Sequence, residues 1–453
     1  MHHDDRLYRE KENAHQGEPG GACTMVSWAT VFRLRQYVKA SLWILPLFGL
    51  LLGVVLADAA VRLDGSVDLP SDWEYSPSTA SSVLSSIVGA MIALLGFVVT
   101  IGVLVVQQAT GTLSPRYMRL WYRDRLQKAV LATFTGTFAF AFSLLRSIET
   151  DFVPDVGVTL AGAAVAVSLL LLLMYLNRFI HNLRPVAIAG LVSRAGQELL
   201  ARGTALADTG QLRASDPAER LPGGPVTLVR TERGGAIQGL HVSRLKAVAE
   251  RNDCVLVLVH PVGDSVPPGA ALIEVHGGAP PADRTLAGLV ALGDERTIEQ
   301  DPAFAMRILV DVAIRALSPA VNDPTTAVQV LNHIEALLHA VGKADLSRRY
   351  TLLDGHGRPR LVVPGRSWED FLQLAVVEIR EYGSTSVQVC RRLRALLEGL
   401  LGALPERHLA AVRTELLLLD EAVARAFPDP VRRARALTPD RQGIGSGSGS
   451  VPG

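Results

Sequence analysis

Four apolar stretches constrain this chain more than any other feature. They run from about Ser41 to Ala60, Ser82 to Val106, Ala129 to Leu145 and Val158 to Phe179. Each is near the ~20 residues that a helix needs to cross a hydrocarbon core of about 30 Å. Buried core helices are the competing reading. They fit poorly, because the second stretch carries no charge and the fourth only Arg178 at its end. Composition agrees: 49% of residues are hydrophobic and only 20% charged, against about 25% charge in soluble domains. A wholly soluble enzyme is disfavoured. A cleaved signal peptide is also disfavoured, since the first stretch follows a long polar N-terminus. Residues 1–32, with His2, His3, Asp4, Asp5 and the Gly17–Gly21 segment, read as a disordered cytoplasmic N-terminus.

Loop charges set an orientation. Arg33, Arg35 and Lys39 precede the first span, and Asp64, Asp68, Asp72 and Glu74 follow it. Arg116, Arg119, Arg123, Arg125 and Lys128 lie between spans two and three. Glu149, Asp151 and Asp155 lie between three and four, and Arg178 and Arg184 close the fourth. The positive-inside rule then places both termini in the cytoplasm of a multi-pass protein. Trp43, Trp73, Tyr75, Trp121, Tyr122 and Tyr175 fall where an aromatic belt is expected. Arginine greatly outnumbers lysine, which suits a high-GC bacterium, and the spans then place the chain in the bacterial plasma membrane.

Within the second span Ser82, Ser86, Gly89, Ala93, Gly96 and Thr100 alternate spacings of four and three, so small residues share one helical seam. The third span repeats the device with Ala132, Gly136, Ala139 and Ser143. Such seams let helix backbones approach closely. Tight bundle packing is the plainer expectation, and a pore lined by hydroxyls and glycines in a homo-oligomer the sharper one. None of the spans has a central ionisable group, which argues against a proton relay or an ion-coupled carrier. After the second span, Ser114 and Pro115 can start a helix that aligns Arg116, Arg119 and Arg123. That face could meet anionic lipid headgroups or acidic residues of the cytoplasmic part, or simply set the topology.

Beyond residue 184 the composition becomes that of a soluble region. Residues 185–225 read as a helix followed by a Pro/Gly-rich linker, 226–294 as a small β-rich module, 295–440 as a mainly helical domain, and 441–453 as a disordered Gly/Ser tail. The spacing Gly263-Asp264-x-Val266-x-x-Gly269 resembles barrel hairpins of biotinyl and lipoyl carriers, and of the ligand-sensing domains of potassium-channel regulators. The nearest lysine, Lys246, sits inside a predicted helix, so the resemblance implies a barrel shape without covalent carriage. The expected fold is thus a four-span helical bundle joined to a cytoplasmic α+β region, barrel-like first and helical after.

The densest polar constellation comprises Glu295, Arg296, Asp301, Arg307, Asp311, Arg315, Ser318, Asn322 and Asp323. Asp301 and Pro302 suit the start of one helix, and Asp323 and Pro324 the start of the next. Arg307, Asp311 and Arg315 align at intervals of four. Arginine forks suit carboxylate or phosphate ligands, so this cluster is the candidate ligand or coupling site. Such a stripe is also an ordinary surface or inter-helix network, and that structural reading is the stronger one. Ser318 has no assured histidine partner, and no metal set, cofactor fingerprint or CxxC pair is present. A net charge of +1 gives no basis for nucleic-acid binding.

Three elements carry a family resemblance: Arg296-Thr297 with Gln300-Asp301, Ala316 through Ala327, and Ser114-Pro115-Arg116 ahead of Arg123-Asp124-Arg125. They resemble the bacterial predicted-membrane-protein family called domain of unknown function twenty-two fifty-four, from about Gln36 to Arg435. The resemblance implies an integral membrane protein with a cytoplasmic C-terminal part, and no particular reaction, cofactor or ligand. The expected function is therefore a non-enzymatic, oligomeric module in the lipid bilayer, channel-like or sensing an unknown ligand. The alternatives are a scaffold for a protein partner and, last, a membrane-bound hydrolase.

Overall fold

The computed structural model describes residues 27–64, 75–112, 124–149, 152–182, 184–208, 212–215, 223, 225–278, 281–344 and 346–443. Helix α1 (Trp28–Ala40) leads to four long apolar helices: α2 (Ile44–Asp64), α3 (Pro77–Thr112), α4 (Arg125–Arg146) and α5 (Asp155–Asn182). Each of the four is long and apolar enough to cross a membrane. Only 28% of the most apolar window is buried in α2, α3 and α5, so their large side chains face outward, as lipid contact requires and a protein core forbids. Leu51, Val55, Val99, Leu104 and Leu173 are all more than half exposed. Helix α1 begins inside the stretch expected to be disordered. Ser27 caps it by accepting from the Thr30 N–H at 3.2 Å, and Trp28 finds an apolar seat.

Helices α2 and α4 form the tightest contact of the bundle. A Cβ on Gly49 would lie 2.2 Å from the Ala132 carbonyl oxygen, and one on Gly53 would lie 2.3 Å from that of Gly136. Both contacts advance by four residues, so the two helices run parallel, and Gly49-x-x-x-Gly53 is the close-approach motif. The fourth-span residue Tyr175 is buried with Val98 and Phe134 rather than set in an interfacial belt. The Lys128 ammonium, at the start of α4, donates to the Lys39 carbonyl at 2.5 Å and so caps the end of α1.

Outside the bundle, α6 (Pro185–Asp208) continues from α5 after a break at Pro185. Its Ile188, Ala189, Val192 and Leu200 enter the core of a helical domain. That domain contains α9 (Pro302–Ala316), α10 (Pro324–Lys343), α11 (Trp368–Gly383), α12 (Val387–Ala403), α13 (Glu406–Ala426) and α14 (Pro430–Leu437). Helix α9 runs through its centre, with every residue from Ala303 to Ala313 buried except Arg307.

The β module is not a barrel. Its strands are β1 (Leu212–Ala214), β2 (Val226–Arg230), β3 (Gly235–Leu240), β4 (Val255–Leu258), β5 (Ser265–Val266), β6 (Ala271–His276), β7 (Val290–Gly293), β8 (Arg349–Leu353) and β9 (Pro359–Pro364). They form an open sheet ordered β1-β8-β9-β4-β6-β2 and a second sheet ordered β5-β3-β7. Helices α7 (Val242–Arg251) and α8 (Asp283–Ala287) accompany them. Two expected boundaries therefore fall. Strand β1 comes from the supposed linker 185–225, and the β8–β9 hairpin from the supposed helical domain 295–440. The reason is long-range pairing: β9 lies parallel to β4, with Leu256 beside Leu361, and burial of Leu256, Ile273 and Leu361 joins the strands in one core. The tail from 444 lies outside the described residues.

Candidate functional site

The segment between β7 and α9 is fastened to β3 by side chains that imitate a strand. Gln300 accepts from the Leu240 N–H at 2.8 Å and donates back to the Leu240 carbonyl at 3.1 Å. Gln238 donates to the Glu295 carbonyl at 2.8 Å, while the Glu295 side chain is exposed. Arg296 donates to one oxygen of Asp301 through Nε at 2.9 Å and Nη2 at 2.7 Å. The other oxygen accepts from the Phe304 N–H at 3.0 Å, which makes Asp301 the N-cap of α9. Burial pushes the Asp301 carboxyl above its ordinary range, against the opposing pull of Arg296. The guanidinium also sits 5.1 Å from the Phe304 ring centre.

Gly263 is held at φ +98°, and a Cβ there would fall 2.2 Å from the Asp301 carboxylate. Only glycine allows this approach. Its neighbour Asp264 accepts from Arg366 at 3.1 Å, so the β4–β5 loop, the start of α9 and the start of α11 meet at one point.

Farther along α9, Arg307 donates to Asp311 at 2.6 Å and, in a two-pronged contact, to Glu378 of α11, whose Oε2 lies at 2.8 Å. These acceptors hold Arg307 well above the ordinary arginine range. Arg315 is half-buried in the last turn. Ser318 donates its hydroxyl to the Arg315 carbonyl at 2.7 Å. Asn322 adopts φ +47° in the turn, and Asp323 caps α10 by accepting from the Thr326 N–H at 3.0 Å and its hydroxyl at 2.6 Å.

The constellation thus divides into separate networks: Arg296 with Asp301, Arg307 with Asp311 and Glu378, and the Ser318–Asp323 turn. Sequence reading missed Glu378, which is 71 residues from its partner and carries no local signal. Among the described residues no group of three or more His, Cys, Asp or Glu is placed to hold a metal ion. What this junction can do is lock the β module to the helical domain.

The seam of α3 is placed differently. Ser82, Ser86, Gly89, Ala93, Gly96 and Thr100 are all exposed, while Leu84, Ile87, Met91, Val98, Ile101 and Val105 face the bundle. A Cβ on Gly89 or Gly96 would meet nothing within 4 Å. Packing within this chain therefore uses the small residues of α2 and α4 and leaves those of α3 uncovered. The basic residues Arg116, Arg119 and Arg123, with Ser114, lie outside the described residues.

The family described as predicted membrane protein (DUF2254) matches residues 39–399. An uncharacterised protein of Mycobacterium bovis and one of Mycobacterium tuberculosis are each 31% identical over 426 residues, covering 89% of this chain and 80% of theirs. No solved structure matches the chain. Four apolar helices ahead of a mixed α+β region, and a match across most of the sequence, place the chain in the DUF2254 family of predicted membrane proteins.

Proposed function

We propose that the chain is a non-enzymatic subunit of a homo-oligomeric, channel-like module of the bacterial plasma membrane, regulated by its cytoplasmic part. One observation carries this reading: six small residues in register on α3 face away from their own bundle. In lipid, helices associate through close packing and interhelical hydrogen bonds, and small residues permit both. The Ser86 and Thr100 hydroxyls donate to the carbonyls of Ser82 and Gly96 at 2.8 and 2.9 Å, so they are satisfied before assembly and can still accept across an interface.

Regulation has two routes. Helix α1, continuous with α2, docks on the β module through the Ala29 N–H and the Gly288 carbonyl, and α6 continues the chain from α5 into the helical core. Charge on Arg33, Arg35 and Lys39 favours cytoplasmic termini. A hydrolytic role is disfavoured because Asp301 and Asp323 serve as helix caps.

The test places cysteine at Gly89 or Gly96 in native membranes, with Cys23 replaced, and oxidises. Cross-linked dimers are expected at both positions. A Gly162→Cys control, on an equally open position of α5, should stay monomeric. Absence of seam cross-links would sink the oligomer. Ion flux in liposomes then asks whether that oligomer conducts.

A further inference from the structure

A cleft of about 570 Å³ opens between the start of α1, strands β2 and β7, and helix α8. Three separate segments bring four arginines to it: Arg33 from α1, Arg230 and Arg233 from the end of β2 and the turn after it, and Arg284 from α8. Two carboxylates, Glu232 and Asp283, also line it, which leaves a formal charge of +2 (four minus two). Several arginines elsewhere in the fold are matched to acids, as in Arg296–Asp301, Arg307–Asp311 and Arg360–Asp354. Among the described residues, those of the cleft are not. Among the described residues, Arg33 donates to the Ala29 carbonyl and the Thr30 hydroxyl, both at 3.3 Å, and Arg230 to the Gly269 carbonyl at 2.9 Å. Arg233 and Arg284 are exposed and engage no acid among the described residues.

The cleft is built rather than incidental. The turn that carries Arg233 is closed on Thr231, whose hydroxyl accepts from the Arg233 N–H at 3.1 Å and donates to its carbonyl at 2.6 Å. The Gly269 N–H braces the same turn through the Thr231 carbonyl at 2.7 Å. Leu228, Val290 and Leu292 supply an apolar part of the lining. The volume lies within the roughly 300–1,000 Å³ of small-molecule sites.

We propose that this cleft binds a small polyanion bearing at least two phosphate groups. Guanidinium forks match phosphate oxygens two at a time, and four forks from three segments exceed what one phosphate can take. One wall belongs to α1, which is otherwise docked by the Ala29 N–H on the Gly288 carbonyl at 2.9 Å and by Trp28 against His241 at 5.1 Å. A polyanion bridging Arg33 to Arg284 would fasten α1, and through it α2, to the β module. This inference does not depend on oligomerisation.

The same chemistry could come from solution or from a diphosphate lipid headgroup, since α1 also exposes Val31, Leu34 and Val38. The experiment has two arms, both on the full chain. In phosphatidylcholine nanodiscs, tripolyphosphate is titrated calorimetrically, with sulfate at matched ionic strength as control. In detergent, cardiolipin retention is read by native mass spectrometry. Saturable tripolyphosphate binding, weakened about tenfold or more in Arg233→Glu/Arg284→Glu, supports a soluble ligand. Cardiolipin retained by the natural chain and lost from the variant supports the lipid source at the same site. Binding in neither arm, or binding that the substitutions leave unchanged, overturns the proposal. If the double variant melts early, Arg233→Gln and Arg284→Gln singly carry the same comparison.

Discussion

At the residue scale the decisive facts concern what each polar group already holds. Asp301 caps α9 and pairs with Arg296 while only 3% exposed. Asp301→Ala removes a cap and strands a guanidinium, so we expect a loss of about 2–4 kcal/mol in unfolding experiments. Asp301→Asn keeps the cap acceptor and should cost less. Cys390 is buried, which pushes its thiol up to about 12. At pH 8 it should therefore resist alkylation in the folded protein and react once the chain is denatured, as read by mass spectrometry. Asp301 and Asp323 were legible as caps because capping chemistry is local. Glu378 was not, because its pairing with Arg307 depends on how α9 and α11 pack.

At the scale of elements, two glycine helices invite opposite outcomes from one substitution. In α2, Gly53→Leu drives a side chain into the Gly136 backbone, and overpacking of this kind costs about 1–3 kcal/mol or more. The variant should melt lower in detergent as α2 and α4 separate. In α3, Gly96→Leu meets open space, so the monomer should keep its stability while the oligomer proposed above weakens. Melting curves beside oligomer size separate the two. The β8–β9 hairpin offers a pH test. Asp354 accepts from the N–H groups of His356 and Arg358 at 2.8 and 2.9 Å and from Arg360 at 2.9 Å. Its carboxyl is held down at about 2, chiefly by the Arg358 N–H. A depressed carboxylate stabilises the fold above its unfolded value, about 3.9, and that stability fades as pH falls toward 2. Amide protection in the hairpin, taken relative to the intrinsic exchange rate at each pH, should fall across that window in the natural chain and change less in Asp354→Asn.

At the scale of the whole molecule, the sequence by itself determined the four apolar helices, the mixed α+β region after them, the helix starts at Asp301 and Asp323, and the small-residue seams. These are legible because hydrophobic length, capping and helical periodicity act over neighbouring residues. Only the tertiary structure decided which seam is used. Gly49 and Gly53 close the α2–α4 contact, while the seam of α3 faces out. It also replaced a barrel with an open six-stranded sheet that draws β1, β8 and β9 across the expected boundaries. It set Arg296 and Arg307 against acids, and gathered four arginines without acid partners among the described residues in the cleft beside α1. The physical reason is common to all three. A seam, a strand edge or a guanidinium has no intrinsic partner, and the one it acquires is set by burial and pairing between segments far apart in the chain.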